Sequence, residues 1–199
     1  MRILAGQFKG RVLLSPPAAA ATRPITAAAK KSLFDILSPV LAGAAVVDLY
    51  CGTGTMGLEA LSRGAERCCF ADHDRRVLQR LGQNVQTLGV QDRCTVWSGD
   101  IPGRLAGWLE SLAGPVDVAF LDPPYADARR WSWPTVADRL FAPLAARLAG
   151  EGLVVLRVPT DLEVPPHLGG LSIRRTKRYG DMAVILWAAR DGSEEAGSP

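Results

Sequence analysis

The stretch "VVDLYCGTGTMG", Val46 to Gly57, decides the fold. A short β-branched apolar run closes on an acid, then passes through Gly52, Gly54 and Gly57, spaced G-x-G-x-x-G, into an apolar helical stretch. Such a turn lets the chain leave a buried strand and start a helix at once, and open α/β sheets bind nucleotides there. Taken alone, the glycine pattern is as consistent with a tight strand-to-helix turn as with a binding loop.

Outward from this turn the same rhythm repeats. Short β-rich runs near Val46–Leu49, Arg67–Ala71, Cys94–Trp97, Val116–Leu121 and Gly152–Val158 alternate with helical stretches around Gly57–Arg63, Arg75–Leu88, Pro102–Leu112 and Trp133–Leu148. That alternation predicts a parallel sheet with helices on both faces. The last two runs, Leu171–Thr176 and Met182–Ala188, are joined by "KRYGD", too short for a helical crossover, so they pair as an antiparallel hairpin at the sheet edge. Upstream, "RILAGQFKGRVLL" reads as a hairpin, "SPPAAAATRP" as an exposed connector, and Thr26 as the cap of a helix through Leu37, with Pro39 just beyond its end. The polar tail, residues 191–199, is expected to be disordered.

At 199 residues and 48% hydrophobic composition the chain suits one main α/β domain. Its formal charge of +3 is unevenly spread. Of the 23 basic residues, six (Arg2, Lys9, Arg11, Arg23, Lys30 and Lys31) precede the first acid, Asp35, leaving 17 against all 20 acids. A basic N-terminal segment on a mildly acidic body suggests a polyanionic partner. The four cysteines have neither metal-ligand spacing nor the density of a disulfide scaffold, and no apolar run has the length of a signal core or membrane span. A cytoplasmic protein without a metal is expected.

Acids at strand ends carry the chemistry. Asp48 precedes the glycines, where it would repel a dinucleotide pyrophosphate but suit a cationic ligand. Asp72 ends the next strand, placed for ribose hydroxyls, and Asp100 follows the third, placed for an adenine amine. Three acids around one adenosine with a positive end fit S-adenosylmethionine better than a phosphate-bearing nucleotide. The fourth strand ends in "FLDPPYA", Phe120 to Ala126. There the Asp122 carboxylate and the Pro123 carbonyl can accept the two hydrogens of one exocyclic amine, the Pro123–Pro124 pair fixes the backbone, and Tyr125 offers a stacking face.

With these residues the chain resembles the RsmD family, bacterial 16S ribosomal RNA (guanine-N2)-methyltransferases. The matching stretches are "MRILAGQFKGRVL", "TRPIT…KKSLFDIL", "VVDLYCGTGTMGLEALSRGA", "FADHDR", "SGD", "FLDPPYA" and "RYGDMAV". The resemblance implies a Rossmann-like class I methyltransferase with a mostly parallel seven-stranded sheet, an antiparallel edge hairpin and a small N-terminal β-hairpin and helix extension. It divides the chain into a basic RNA-binding extension, 1–40, and an S-adenosylmethionine-dependent domain, 41–190. The cofactor set is then Asp48, Tyr50, Gly52, Gly54, Asp72, His73, Asp100 and Ile101; the catalytic set Asp122, Pro123, Pro124 and Tyr125; the RNA-binding set Lys9, Arg11, Arg23 and Lys30. The partner is 16S ribosomal RNA or an assembling small subunit, and a monomer is expected.

The sequence departs from the family at Ile25, Ala27, Ala28 and Lys31, where polar or acidic residues are usual. Other readings explain less. A dinucleotide-dependent oxidoreductase leaves Asp48 and D-P-P-Y unexplained, and a non-catalytic nucleic-acid binder leaves the strand-end acids unexplained. A DNA adenine-N6 methyltransferase shares D-P-P-Y but generally needs a target-recognition domain for which the chain has no room.

Overall fold

A computed structural model describes residues 1–16 and 25–189. Within them β1 (Ala45–Leu49), β2 (Arg67–Asp72), β3 (Cys94–Ser98), β4 (Val116–Leu121) and β5 (Leu148–Pro159) pair in parallel. β6 (His167–Leu168), β7 (Leu171–Tyr179) and β8 (Met182–Ala189) complete one sheet in the order β3-β2-β1-β4-β5-β8-β7-β6. The sheet therefore has eight strands rather than seven. The addition is the two-residue β6, which pairs only with Leu171 and Ser172 and is too short to leave a periodic signal. The edge hairpin forms as expected, β7 and β8 pairing antiparallel.

The helices are α1 (Ala27–Leu41), α2 (Thr55–Ser62), α3 (Arg75–Leu88), α4 (Ile101–Glu110), α5 (Tyr125–Ala128), α6 (Trp133–Val136) and α7 (Ala142–Arg147), with a π-helical turn at Ala137–Phe141. Side chains of β1 alternate between two cores. Val46 faces α1, α2 and α3 with Phe34, Leu58, Phe70, Phe120 and Leu81, whereas Val47 and Leu49 face Leu105, Leu140 and Leu144 of the opposite layer. Both sheet faces are thus buried, as the near-continuous apolar strands require.

The N-terminal elements form close to expectation, with one correction at the end of the helix. The hairpin forms, with Ile3 N donating to Arg11 O at 3.0 Å, Gly10 N to Ile3 O at 2.9 Å and Leu13 N to Met1 O at 2.7 Å around the bridge of Arg2 with Val12, while residues 5–10 turn onto Ser62. Helix α1 is capped by Thr26, whose Oγ1 accepts from Ala29 N at 3.3 Å, but it continues through Pro39 to Leu41. A proline so near the C-terminus removes only one helical hydrogen bond, at the exposed Asp35. Among the described residues of the N-terminal segment, Ile3, Leu13, Leu33 and Phe34 belong to the core that holds Leu58 and Phe120. Arg23 and the tail 191–199 lie outside the described residues.

Candidate active site

The parallel register brings the C-terminal ends of β3, β2, β1 and β4 level, with Leu49 opposite both Ala71 and Leu121 and Asp72 opposite Ser98. Asp48, Asp72, Asp100 and Asp122 therefore stand along one edge of the sheet. β1 lies where the strand order reverses, the position at which open α/β sheets form a ligand crevice. A cleft opens there, lined by Asp48, Tyr50, Cys51, Gly52, Asp122 and Arg157 and, from the N-terminal segment, by Met1, Pro16 and Ile25.

The glycine turn is built for close approach. Gly54 has φ +85°, and a Cβ there would sit 2.4 Å from Leu81 Cδ1; at Gly57 it would sit 2.4 Å from the Phe70 ring, so helix and strand touch only because both residues lack a side chain. Tyr50 is the non-glycine residue held at positive φ, 59°, and its ring packs 6.5 Å from that of Trp131. Burial and surrounding carboxylates push its phenol upward, so it stays neutral.

Asp48 is 1% exposed. Its Oδ2 accepts from Gly57 N in the first turn of α2 at 2.8 Å, while Oδ1 is buried without a hydrogen-bond partner. Burial raises its pKa to about 8, helped by Asp122 and Asp72 and opposed by the Gly57 hydrogen bond and Lys30. Asp72 braces the glycine turn, Oδ2 accepting from Gly52 N at 3.0 Å and Oδ1 from Asp74 N at 3.0 Å, with His73 Nδ1 3.5 Å away. Asp100 is exposed and caps α4 through Gly103 N at 2.9 Å, whereas the Ile101 side chain sits in the core.

At the β4 end, Asp122 N donates to Leu49 O at 3.2 Å, tying the two central strand ends together. The Asp122 side chain is 22% exposed and paired through Oδ1 with Arg157 Nε. Burial pushes this carboxyl up against the pull of Arg157. Pro123 is buried, Pro124 precedes α5, and the Arg157 guanidinium lies 5.6 Å over the Tyr125 ring.

The structure does not bring Lys9, Arg11 or Lys30 to this cleft, and Arg23 lies outside the described residues. Lys30 is 3% exposed and bound 2.8 Å from Glu59, so it is out of reach of an RNA phosphate. Lys9 and Arg11 are exposed, but their loop is pinned at Ser62, which bonds Gln7 N at 2.7 Å and Phe8 N at 2.9 Å. Ser62 ends α2, about 12 Å along the helix from the glycine turn and away from the strand ends.

Three contributors were not singled out by the sequence reading. Arg157 is a lone charge in the apolar strand "LVVLRVP". Asn84 is a lone polar group on the buried stripe of α3; its side chain joins Leu14 N (2.8 Å), Leu14 O (3.3 Å) and Thr53 O (3.0 Å), linking the N-terminal segment to the glycine turn. Glu59, 0% exposed, accepts from Leu4 N, Ala5 N and Arg63 besides holding Lys30. In each case a polar residue on an otherwise apolar face was the available signal.

This arrangement of strand-end acids around a glycine turn is that of a Rossmann-like methyltransferase, and likeness to known proteins agrees. The profile of a family described as "Conserved hypothetical protein 95" matches residues 1–188. Ribosomal RNA small subunit methyltransferase D of Escherichia coli strain K12 is 31% identical over 187 residues, 94% of this chain and 89% of that protein. The solved structure of a hypothetical protein of Thermus thermophilus superposes with a TM-score of 0.77 at 28% identity, covering 96% of this chain and 99% of that one. The rRNA methyltransferase aviRa of Streptomyces viridochromogenes shares the fold at 15% identity and a TM-score of 0.63, covering 85% and 87%. The chain belongs to the RsmD family of methyltransferases.

Proposed function

We propose that this protein transfers a methyl group from S-adenosylmethionine to the exocyclic N2 of a guanine in small-subunit ribosomal RNA. The observation that carries the reading is a pair of carboxylates on adjacent strand ends in one cleft: Asp48, with a buried and unpartnered Oδ1, and Asp122, paired with Arg157. A buried acid without a counter-charge suits a ligand that brings a cation, and the open space in front of Gly52 leaves room for one against the backbone. Asp48 would hold the cationic end of S-adenosylmethionine. Asp72 and Asp100 keep their proposed roles toward ribose and adenine through carboxylate capacity beyond the bonds already described. The likeness to Ribosomal RNA small subunit methyltransferase D supports the choice of RNA.

When bound, S-adenosylmethionine supplies a methyl on a sulfonium sulfur; its C–S electron pair returns to sulfur as the base nitrogen takes the methyl. The protein's work is orientation, for which effective molarities on the order of 10⁵ M are available. Asp122 and the Pro123 carbonyl accept the two amine hydrogens and turn the nitrogen lone pair toward the methyl. Arg157 holds Asp122 in place, and the upward push of burial on the Asp122 carboxyl lets it receive the proton the methylated amine gives up. Tyr125 stacks on the base, and Tyr50 with Trp131 closes the cleft beside it. We take the protein to act as a monomer in the bacterial cytoplasm, where small-subunit ribosomal RNA is assembled.

The test is incubation with methyl-labelled S-adenosylmethionine and unmodified small-subunit ribosomal RNA, free and assembled into subunits, followed by nucleoside mass spectrometry. Label in N2-methylguanosine is the expected result. Label in another nucleoside, or none with either substrate, would overturn the assignment.

A further inference from the structure

Of the expected RNA-gripping residues, Lys9, Arg11 and Lys30 lie away from the cleft, yet a second basic group lies at its level. β6 covers Leu171 and Ser172 and Ile173 N donates to Pro166 O, so the outer edge of β7 from Arg174 to Tyr179 has no strand partner among the described residues. All five residues from Arg174 to Arg178 are exposed, four of them are cations, and none is an acid. Arg174 turns back to donate to Ala189 O at 3.2 Å. Arg175, Lys177 and Arg178 make no ion pair with a described residue. Several cations elsewhere around the site are paired with acids: Lys30 and Arg63 with Glu59, Arg129 with Asp161, Arg157 with Asp122, and Arg76 with Asp74.

The placement follows from register. Tyr179 pairs with Met182, and Met182 with Pro159 at the C-terminal end of β5, the neighbour of β4. The Lys177–Tyr179 end of β7 is therefore level with Asp122 and three strand spacings away, about 15 Å. Lys177 and Arg175 share a face with their partners Val184 and Leu186, which pack on the α1 side, while Arg178 lies with Ala183 on the other. The three cations straddle the open edge. The acids nearby are Asp181, in the turn between β7 and β8, and Glu163, which lines one cavity with Thr176 and Arg178.

We propose that Arg175, Lys177 and Arg178 form an RNA-contact surface that holds phosphates of nucleotides flanking the target base, on the side of the cleft opposite the glycine turn. The proposal rests on the RNA reading given above and adds where the RNA lies. Charged residues also blunt open sheet edges against pairing with another chain, but charge of either sign anywhere along the edge would do that. A single sign, left unpaired and gathered at the catalytic end, is what a phosphate backbone requires.

The test is the variant Arg175→Gln, Lys177→Gln, Arg178→Gln, in which glutamine keeps the edge polar so that folding and edge protection persist. Binding to unmodified small-subunit ribosomal RNA, transcribed in vitro and used both free and assembled into subunits, is measured across salt concentrations, with thermal stability and S-adenosylmethionine affinity as controls. The expected result is weaker RNA binding and a shallower log–log salt slope, by about 0.7 to 0.9 for each phosphate no longer held, with both controls unchanged. Unchanged affinity and slope would overturn the proposal. So would weakening seen only with assembled subunits, which would indicate a protein contact instead. Methyl transfer by the wild type with unaltered variant binding would refute the surface alone, whereas weakened variant binding without any wild-type methyl transfer would refute the enzymatic reading alone.

Discussion

The ends of β1 and β4 stand side by side and each carries a carboxylate into the same cleft, but their electrostatic surroundings are opposite. Asp122 has its counter-charge built in, Arg157, two strands over from β1. Asp48 has a backbone N–H on one oxygen, nothing on the other, and a pKa raised to about 8. A fold of this size could have supplied Asp48 with a cation, since Lys30 is buried nearby, yet Lys30 is committed to Glu59. The difference teaches a division of labour. The β1 carboxylate is left for a ligand that brings positive charge, and the β4 carboxylate, already balanced, is left for a neutral amine.

The largest expected effect breaks the β4 half. Asp122→Asn keeps the shape but loses the charged acceptor, and should slow methyl transfer on the order of 10² to 10³, by analogy with removal of one preorganised hydrogen-bonding group. Single-turnover rates beside calorimetric affinity for S-adenosylmethionine would check it; near-native turnover would remove Asp122 from the chemistry.

Asp48→Asn attacks the other half with the opposite signature. Cofactor binding should weaken by about 1.5 to 3 kcal/mol, the worth of a charge-assisted hydrogen bond. Stability of the ligand-free protein should move the other way. Because folding raises the Asp48 pKa from 3.8 to about 8, its contribution is fully present below pH 4, declines as pH rises and is lost by about pH 8. The asparagine variant should therefore be relatively more stable at pH 8 than at pH 4, when both proteins are compared by thermal melts.

A smaller effect is expected at the joint between the N-terminal segment and the glycine turn. Asn84→Ala strands the buried Thr53 carbonyl and unties the backbone of Leu14, and should cost about 1 to 3 kcal/mol of stability, with weaker cofactor binding and little change in the rate at saturation. Denaturant unfolding and a separation of KM from kcat would check it. The smallest effect is expected from Lys9→Ala with Arg11→Ala. Their loop lies at the far end of α2, so RNA affinity should fall less than in the β7 variant in the same binding assay; a larger fall would return the RNA track to that side.

The sheet was legible in the sequence because its strands are short apolar runs with acids or glycines at their ends, a pattern written in consecutive residues. The same locality made Asp48, the glycine turn and D-P-P-Y readable. What escaped depends on contacts between distant segments. Asp122 meets Arg157 across 35 residues and Leu14 meets Asn84 across 70. Lys30 illustrates the cost of reading charge without partners: it counted as part of a basic arm until the fold placed Glu59 beside it. β6 and the π-turn at Ala137–Phe141 were invisible for a simpler reason, being too short to establish a period.

The division between the two carboxylates is tested most directly by proton release on cofactor binding. S-adenosylmethionine would be titrated calorimetrically into the wild type, Asp48→Asn and Asp122→Asn in buffers of different ionisation enthalpy, from pH 6 to pH 9. A neutral Asp48 that ionises to meet a cation must give up its proton. Close to one proton per site should leave the wild type and Asp122→Asn at pH 7, falling toward zero above pH 8, with that release absent in Asp48→Asn. Equal release from all three proteins, or none from the wild type, would contradict the assignment of Asp48 as the acid held ready for the cation.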